Sequence, residues 1–447
     1  TLTPKDTYAD AGLTIPNGTI TLNDLGRSPV DIFAASSGDY RVYLKDAAGV
    51  LIGEADPFSA DAAAPVAGGS GFRNLLINGD FSINQRVATS VADDTYCLDG
   101  WYVLTETGNV TVAQQTLQAL GIPTNIRLTQ PDVTAKRMGL AQIVENVNCR
   151  HLRNSAAVFA GRVKHSVAAP IRYAILTWTG ASDTVTSDVV LDWADASFSA
   201  GAFFLAASVT VQAVGVLNPT PGTWTDIPPI TSTLSGSMNN LIVFVWTENE
   251  TAQNATLDFA RMQVEAGTEA SEFEMLPRDV QLMHCFRNYQ KSFSPATAPA
   301  QNTEPTTAEG LVQMVAASTD FRGHMVHLRT TMRTNTYALT LYNPSAANAE
   351  IRNLTAGADC SSTTSGAAGT EKFIVRATTP AGTAVGQRLV FHWTADNSPR
   401  PKDHRHACSN GLHAVFHSHA RRHERQRRGD DPEERARVGI AERGNGD

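Results

Sequence analysis

Charge, aromatic rings and cysteine are all scarce in this chain, and each shortage closes off a class of protein. Charged residues make up 18% of the 447 and aromatics 7%, against 33 glycines. With its many Thr, Ser, Ala and Val residues, this balance predicts β-strands joined by small-residue turns rather than helical bundles. Cys97, Cys149, Cys285, Cys360 and Cys408 are odd in number, far apart and without CxxC spacing, so neither a disulfide framework nor a zinc ribbon is indicated. No apolar run approaches the roughly 20 residues a membrane-spanning helix needs, and no signal peptide is visible. The motifs of common enzymes are missing too: no GxSxG elbow, no P-loop, no HExxH, and no GxGxxG between a strand and a helix. No period of roughly 20–30 residues marks a β-helix.

The formal net charge of −8 is unevenly spread, residues 399–447 carrying +3 and the first 398 carrying −11. Such a body repels a phosphate backbone, so nucleic acid is not an expected partner.

A chain this long exceeds one ordinary core, so several domains are expected. Residues 1–58 read as a small β domain. Its clearest hairpin is GDYRVYLKDAAGVLIGEAD, where Tyr40, Val42 and Leu44 alternate with Arg41, Tyr43 and Lys45 before a turn at Asp46–Gly49 and a return strand from Val50 to Glu54. Residues 59–71 are small and nearly uncharged, the composition of a linker. Residues 72–276 carry short apolar or alternating runs (NLLINGDFSI, WYVLTE, IRYAILTWTG, NLIVFVWTE, ATLDFARMQVEAG) between Gly, Pro, Asn and Asp clusters. That spacing predicts two packed antiparallel sheets, a jelly roll or sandwich. In PRDVQLMHCFRNYQKSF, Pro277 suits a first helical position and Leu282, Cys285, Phe286 and Tyr289 fall at i, i+3, i+4 and i+7. This predicts a helix over 277–291 that closes the domain at residue 293. A second, distal β-sandwich domain is expected over 294–397.

Chemistry-bearing residues are few. Trp193 and Trp224 adjoin loops and are the tryptophans best placed to stack on sugar rings, whereas Trp178 and Trp246 lie inside apolar strands and read as core. Carboxylate pairs such as Asp183 with Asp188, or Asp192 with Asp195, read as turn-capping acids rather than a hydrolytic pair. His404, His406, His417 and His419 form two HxH pairs that offer imidazoles to a metal. Their flanks are Arg-rich and of low hydrophobicity, without the scaffold a metal site requires, so disorder is the expectation for 398–447. No cofactor is expected.

Several stretches together resemble a known family. NLLINGDFSINQR (Asn74–Arg86), YCLDGWYV (Tyr96–Val103) and LDFARMQVEAGTEASEFEMLPRDVQLMHCFRNYQKSF (Leu257–Phe293) are similar to the signature of tail-fibre, receptor-binding proteins of tailed bacteriophages and prophages. In that family a carbohydrate-binding-module-like sandwich opens with N-x-x-x-N-G-x-F and ends with Q-x-E-x-G, a P-F-E-like turn and a Cys-x-x-Tyr helix. Asn74, Asn78, Gly79, Phe81, Gln263, Glu265, Gly267, Phe273, Glu274, Cys285 and Tyr289 occupy the matching positions. TPKDTYADAGLTIPN and GDYRVYLKDAAGV resemble the family's tail-attachment adaptor, in which strands usually precede the TPKDTYAD motif; a truncated start is therefore expected. The resemblance implies a non-enzymatic virion protein, a homotrimer that docks to tail or baseplate proteins and binds host surface polysaccharide. It also implies that residues after about Ser398 are an out-of-frame or unrelated extension. If the distal domain carries binding, the segments Thr319–His327 and Asn343–Asn348 are the expected tips. A spacer or decoration without ligand, and a polysaccharide-degrading tail enzyme, are the alternatives.

Overall fold

The computed structural model describes residues 7–8, 33–34, 39–46, 48, 50–59, 72–116, 121, 123–185, 188–303, 312–315, 320–366 and 368–398. The linker over 60–71 and the histidine-rich residues after 398 lie outside the described residues. The chain is mainly β, with several sheets and two short α-helices among the described residues.

Near the N-terminus, β1 (Thr7–Tyr8) pairs antiparallel with β2 (Phe33–Ala34), and β3 (Asp39–Lys45) with β4 (Leu51–Ser59). Asp46 makes the turn between β3 and β4: its Oδ1 accepts from the backbone N–H groups of Ala48 and Val50 at 2.9 and 2.8 Å, the Asx-type closure expected of an aspartate at a turn start. The return strand runs five residues beyond the expected Glu54.

Twelve strands then build the sandwich. They are β5 (Ser90–Ala92), β6 (Thr95–Leu98), β7 (Trp101–Thr105), β8 (Asn109–Thr116), β9 (Thr124–Thr129), β10 (Met138–Val144), β11 (Ala156–His165), β12 (Ile171–Trp178), β13 (Val209–Leu217), β14 (Thr225–Thr233), β15 (Asn240–Thr247) and β16 (Thr256–Ala266). A short α1 (Asn146–Cys149) follows β10. The first sheet has the order β13-β12-β15-β10-β7-β6 and the second β14-β11-β16-β9-β8-β5. All pairings are antiparallel.

The two sheets differ in how much of them is covered. Trp101, Val103, Leu140, Ile175, Val243 and Val245 of the first sheet meet Val110, Val112, Ile126, Leu128, Phe159 and Phe259 of the second in the inter-sheet core. On the first sheet the intervening residues are buried as well, so WYVLT and NLIVFVWT are buried at every position. On β8 of the second sheet burial alternates with exposure. A strand covered on both faces reads as a continuous apolar run, and one with a wet face alternates.

The closing helix α2 spans Arg278–Phe286, shorter than the 277–291 expected. Tyr289–Lys291 forms strand β17 instead, pairing with residues near position 396. The i+7 position of Tyr289 was an accident of spacing: its backbone serves a sheet. The remaining strands are β18 (Val312–Val315), β19 (Asp320–His327), β20 (Ala338–Tyr342), β21 (Arg352–Asn353), β22 (Ala358–Asp359), β23 (Ser361–Gly366), β24 (Lys372–Thr378) and β25 (Arg388–Asp396). β25 pairs with β17, β18, β20 and β21, which accounts for its nearly unbroken burial. β19, β24 and β23 form a separate sheet. Phe373 and Val375 pack there against Leu389, Phe391 and Trp393. Asp320–His327, expected at a loop tip, is instead an edge strand of this three-stranded sheet, paired with β24.

Candidate functional site

Asn74, Asn78, Gly79, Gln263, Glu265 and Glu274, which carry part of the family resemblance, build a cradle where the residue 73–83 segment meets β16. Asn78 adopts φ 57°, a left-handed conformation asparagine tolerates. Its Nδ2 donates to the carbonyls of Ile83 and Asp99, and its Oδ1 accepts from Ile83 N–H. The Trp101 indole N–H donates to the Asn78 carbonyl at 3.0 Å. Gly79 lies so close to β16 that a Cβ there would stand 2.2 Å from the Met262 carbonyl oxygen, which explains the N-G pair. Asn74 bridges Met262 and Val264, while the Glu274 carboxylate accepts the N–H groups of Arg73 and Asn74. Glu265 accepts from Ser271 and from Gln263 Nε2. These residues are joinery, and none presents a reactive group to solvent.

The outer face of the first sheet is occupied by the chain itself. Between β12 and β13, the excursion over 179–208 lays Phe198, Phe203 and Phe204 on the strand aromatics. Phe244 and Trp246 stack at 4.5 Å and 10°, and Phe203 stacks on Trp246 at 5.1 Å and 22°. Trp193 belongs to this cover, edge-on to Phe203 and Phe244 at 5.8 and 6.0 Å. The aspartates of the region cap turns: Asp192 accepts from Ala194 N–H, Asp195 from Ser197, Asp188 from Val190, and Asp183 from Asn146 and Asn240.

The outer face of the second sheet is open and chemically varied. Trp224 sits at its edge, delivered by the turn Pro219–Gly222, where Gly222 has φ 70° and donates to the His165 carbonyl at 2.7 Å. Trp224 and Phe273 pack on Ala260 of β16. Lys164 Nζ lies 5.1 Å over the Trp224 ring and 3.0 Å from Asp258 Oδ2. On its other side Asp258, fully buried, receives the Arg127 guanidinium in a two-bond pair at 2.6 and 2.8 Å. That hydrogen bonding holds Arg127 charged, its pKa above the ordinary value. Alongside, Arg162 pairs with Asp226 at 2.5 Å.

A groove of about 220 Å³ runs across this face, lined by Arg162, Asp226, Pro229, Arg261, Gln263 and Phe273 over a floor that includes Ala160 and Gly161. Two prolines, Pro228 and Pro229, are accommodated because β14 is an edge strand. Such a surface offers flat aromatic carbon for the apolar faces of sugar rings and anchored guanidinium and carboxylate groups for hydroxyls. Trp224, expected from its loop position to be available for stacking, is half-buried on this face. That Arg162, Lys164 and Asp258 share this face depends on strand register and is not visible in the sequence. Among the described residues no cluster of His, Cys, Asp and Glu is arranged to hold a metal, and His404, His406, His417 and His419 lie outside them.

No protein-family pattern and no curated protein sequence matches this chain. Solved structures similar to it include carbohydrate-binding modules with β-sandwich folds. TmCBM61 in complex with β-1,4-galactotriose matches over 44% of this chain and 100% of its own, at 11% identity and a TM-score of 0.27. The CBM22-1–GH10 modules of Clostridium thermocellum xylanase 10B, complexed with xylohexaose, match over 46% of this chain and 30% of their own, at 10% identity and a TM-score of 0.27. The enzymatically active domain of bacteriophage CBA120 tailspike protein 4 matches over 43% of this chain and 21% of its own, at 9% identity and a TM-score of 0.26. At these identities and scores the likeness decides nothing about function.

Proposed function

We propose that this chain is a tail-fibre protein of a tailed bacteriophage or prophage. It attaches to tail or baseplate proteins through its N-terminal residues and binds host surface polysaccharide without cutting it. The observation that carries the binding part is the open face of the second sheet, where Trp224 and Phe273 stand beside the ion pairs Arg127–Asp258–Lys164 and Arg162–Asp226. The phage part is supported by the residues that resemble those of tail fibres, from Asn74 to Tyr289, of which Asn74, Asn78, Gln263, Glu265 and Glu274 take part in one cradle. A homotrimeric fibre in the virion presents three copies of one shallow site. Linked sites gain roughly 10²- to 10⁴-fold in avidity when they engage together, so a weak single site suffices.

The test is to incubate the full chain with surface polysaccharide purified from the host and to follow both retention on the polymer and polymer length. Retention with unchanged length is the expected result. Shortened chains would make it a polysaccharide-degrading tail enzyme, and neither effect would make it a spacer.

A further inference from the structure

A second concavity, of about 150 Å³, lies where the loop at 82–85, α2 and the segment around β17 meet. Arg278, Lys291 and Arg329 all line it, and among the described residues no aspartate or glutamate does. Lys291 is only 2% exposed. Its ammonium donates to the carbonyls of Pro295 and Thr297 at 3.0 and 2.7 Å, which leaves one of its three N–H groups for the cavity. The two arginines are exposed at the rim, Arg329 resting its guanidinium 5.2 Å from the centre of the Phe286 ring. None of the three cations forms an ion pair among the described residues.

The acids that act on them are engaged elsewhere. Asp80, which acts on Arg278, accepts from Ser82 N–H; Asp99, which acts on Lys291, accepts two hydrogen bonds from Gln85. Burial of a charge without a counter-ion is costly. An anion entering the cavity would relieve that cost for Lys291 and would at the same time meet the two guanidinium groups at the rim.

We propose that this cavity receives the carboxylate of an acidic sugar, a hexuronate residue of the polysaccharide, with Arg278 and Arg329 gripping from the rim and Lys291 from the floor. The assignment rests on the polysaccharide-binding reading and names the sugar class. Planar guanidinium groups match a carboxylate with paired hydrogen bonds. The volume is below the roughly 300–1,000 Å³ of drug-sized sites, so the cavity takes one sugar's charged end while the polymer continues outside. A neutral hexose brings no charge to pair with the three cations. Burial lowers the Lys291 pKa to about 8, with Asp99 opposing and Arg329 reinforcing the shift; Arg278 is the other cation facing it. The floor is therefore charged at neutral pH and loses its charge above about 8.

The full chain is titrated calorimetrically with D-glucuronate, D-glucose and D-glucose 6-phosphate. Glucuronate is expected to bind and glucose not to. The variant carrying both Arg278→Gln and Arg329→Gln, whose side chains are exposed, is expected to unfold near the parent temperature and to weaken glucuronate binding about tenfold or more. Binding should also weaken as pH rises past 8. Glucuronate bound no better than glucose, unchanged binding by the double variant, or binding of the phosphate sugar alone would each overturn the assignment. Retention of the whole polymer is read separately. Polymer held while glucuronate is ignored removes this site and leaves the fibre reading; glucuronate bound through the arginines while polymer is not held supports the site and removes that reading.

Discussion

Arg86 shows how one side chain ties the sandwich to the region after α2. Its guanidinium pairs with Asp396 at 2.7 and 3.1 Å, donates to Ser398 Oγ, and lies 4.1 Å from the centre of the Tyr289 ring. The attraction of Arg86 keeps the Asp396 carboxyl below its ordinary pKa despite burial. Removing one partner of a buried pair costs about 3–5 kcal/mol; since the Asp396 side chain is 33% exposed, about 3 kcal/mol is expected for Arg86→Met, read as a lowered denaturant midpoint. His392 provides the pH test. It stacks on Phe293 at 4.2 Å and 16°, and burial lowers its pKa to about 4 from an ordinary 6.5. The folded state favours the neutral ring, so this stabilisation is complete above pH 6.5 and is lost as pH falls towards 4, by about 3 kcal/mol in all. His392→Phe, which retains a ring and cannot titrate, should flatten the unfolding profile between those pH values; an unchanged slope would show that other groups set it.

At the scale of elements, the contrast between continuous and alternating apolar strands tells which sheet keeps a free face. WYVLT and NLIVFVWT lie in the sheet covered on both sides, and NVTVAQQT lies in the sheet with an open one. That much was legible, as were the hairpin at Asp46, the two packed sheets and the existence of α2. The end of α2 was not, because β17 pairs with β25 across roughly a hundred residues, and helical spacing carries no trace of so distant a partner. Nor was the cover over 179–208, whose Asp, Ser and Ala content reads as exposed turn although its phenylalanines are anchored in the sheet. Trp224 was legible as a loop tryptophan, while the charged residues beside it became neighbours only through the registers of β11, β14 and β16. Two substitutions test these elements. Phe203→Ala, which opens the stack on Trp246, should cost about 3–5 kcal/mol. Gly79→Ala, which drives a methyl group against the Met262 backbone, should cost about 1–3 kcal/mol. Calorimetric unfolding of each purified variant measures both, and a wild-type midpoint for either would contradict the packing described.

At the scale of the whole molecule, one sheet of the sandwich is covered on both faces and the other keeps an open outer face. The first sheet is sealed by the chain's own aromatics, the cradle of motif residues joins the residue 73–83 segment to β16, and Arg86 couples the sandwich to the β25 sheet. With a net charge of −11 over the first 398 residues, an acidic polymer is repelled by the body at long range and is held only where cations are concentrated, so retention of such a polymer should depend on local contacts. The central claim is that polysaccharide binds on the outer face of the second sheet. Its most direct measurement compares retention of the host surface polysaccharide by the full chain and by Trp224→Ala, with thermal unfolding of both recorded alongside. The account predicts retention by the parent chain, strong loss in the variant and nearly equal unfolding temperatures. Equal retention by the two proteins would contradict it.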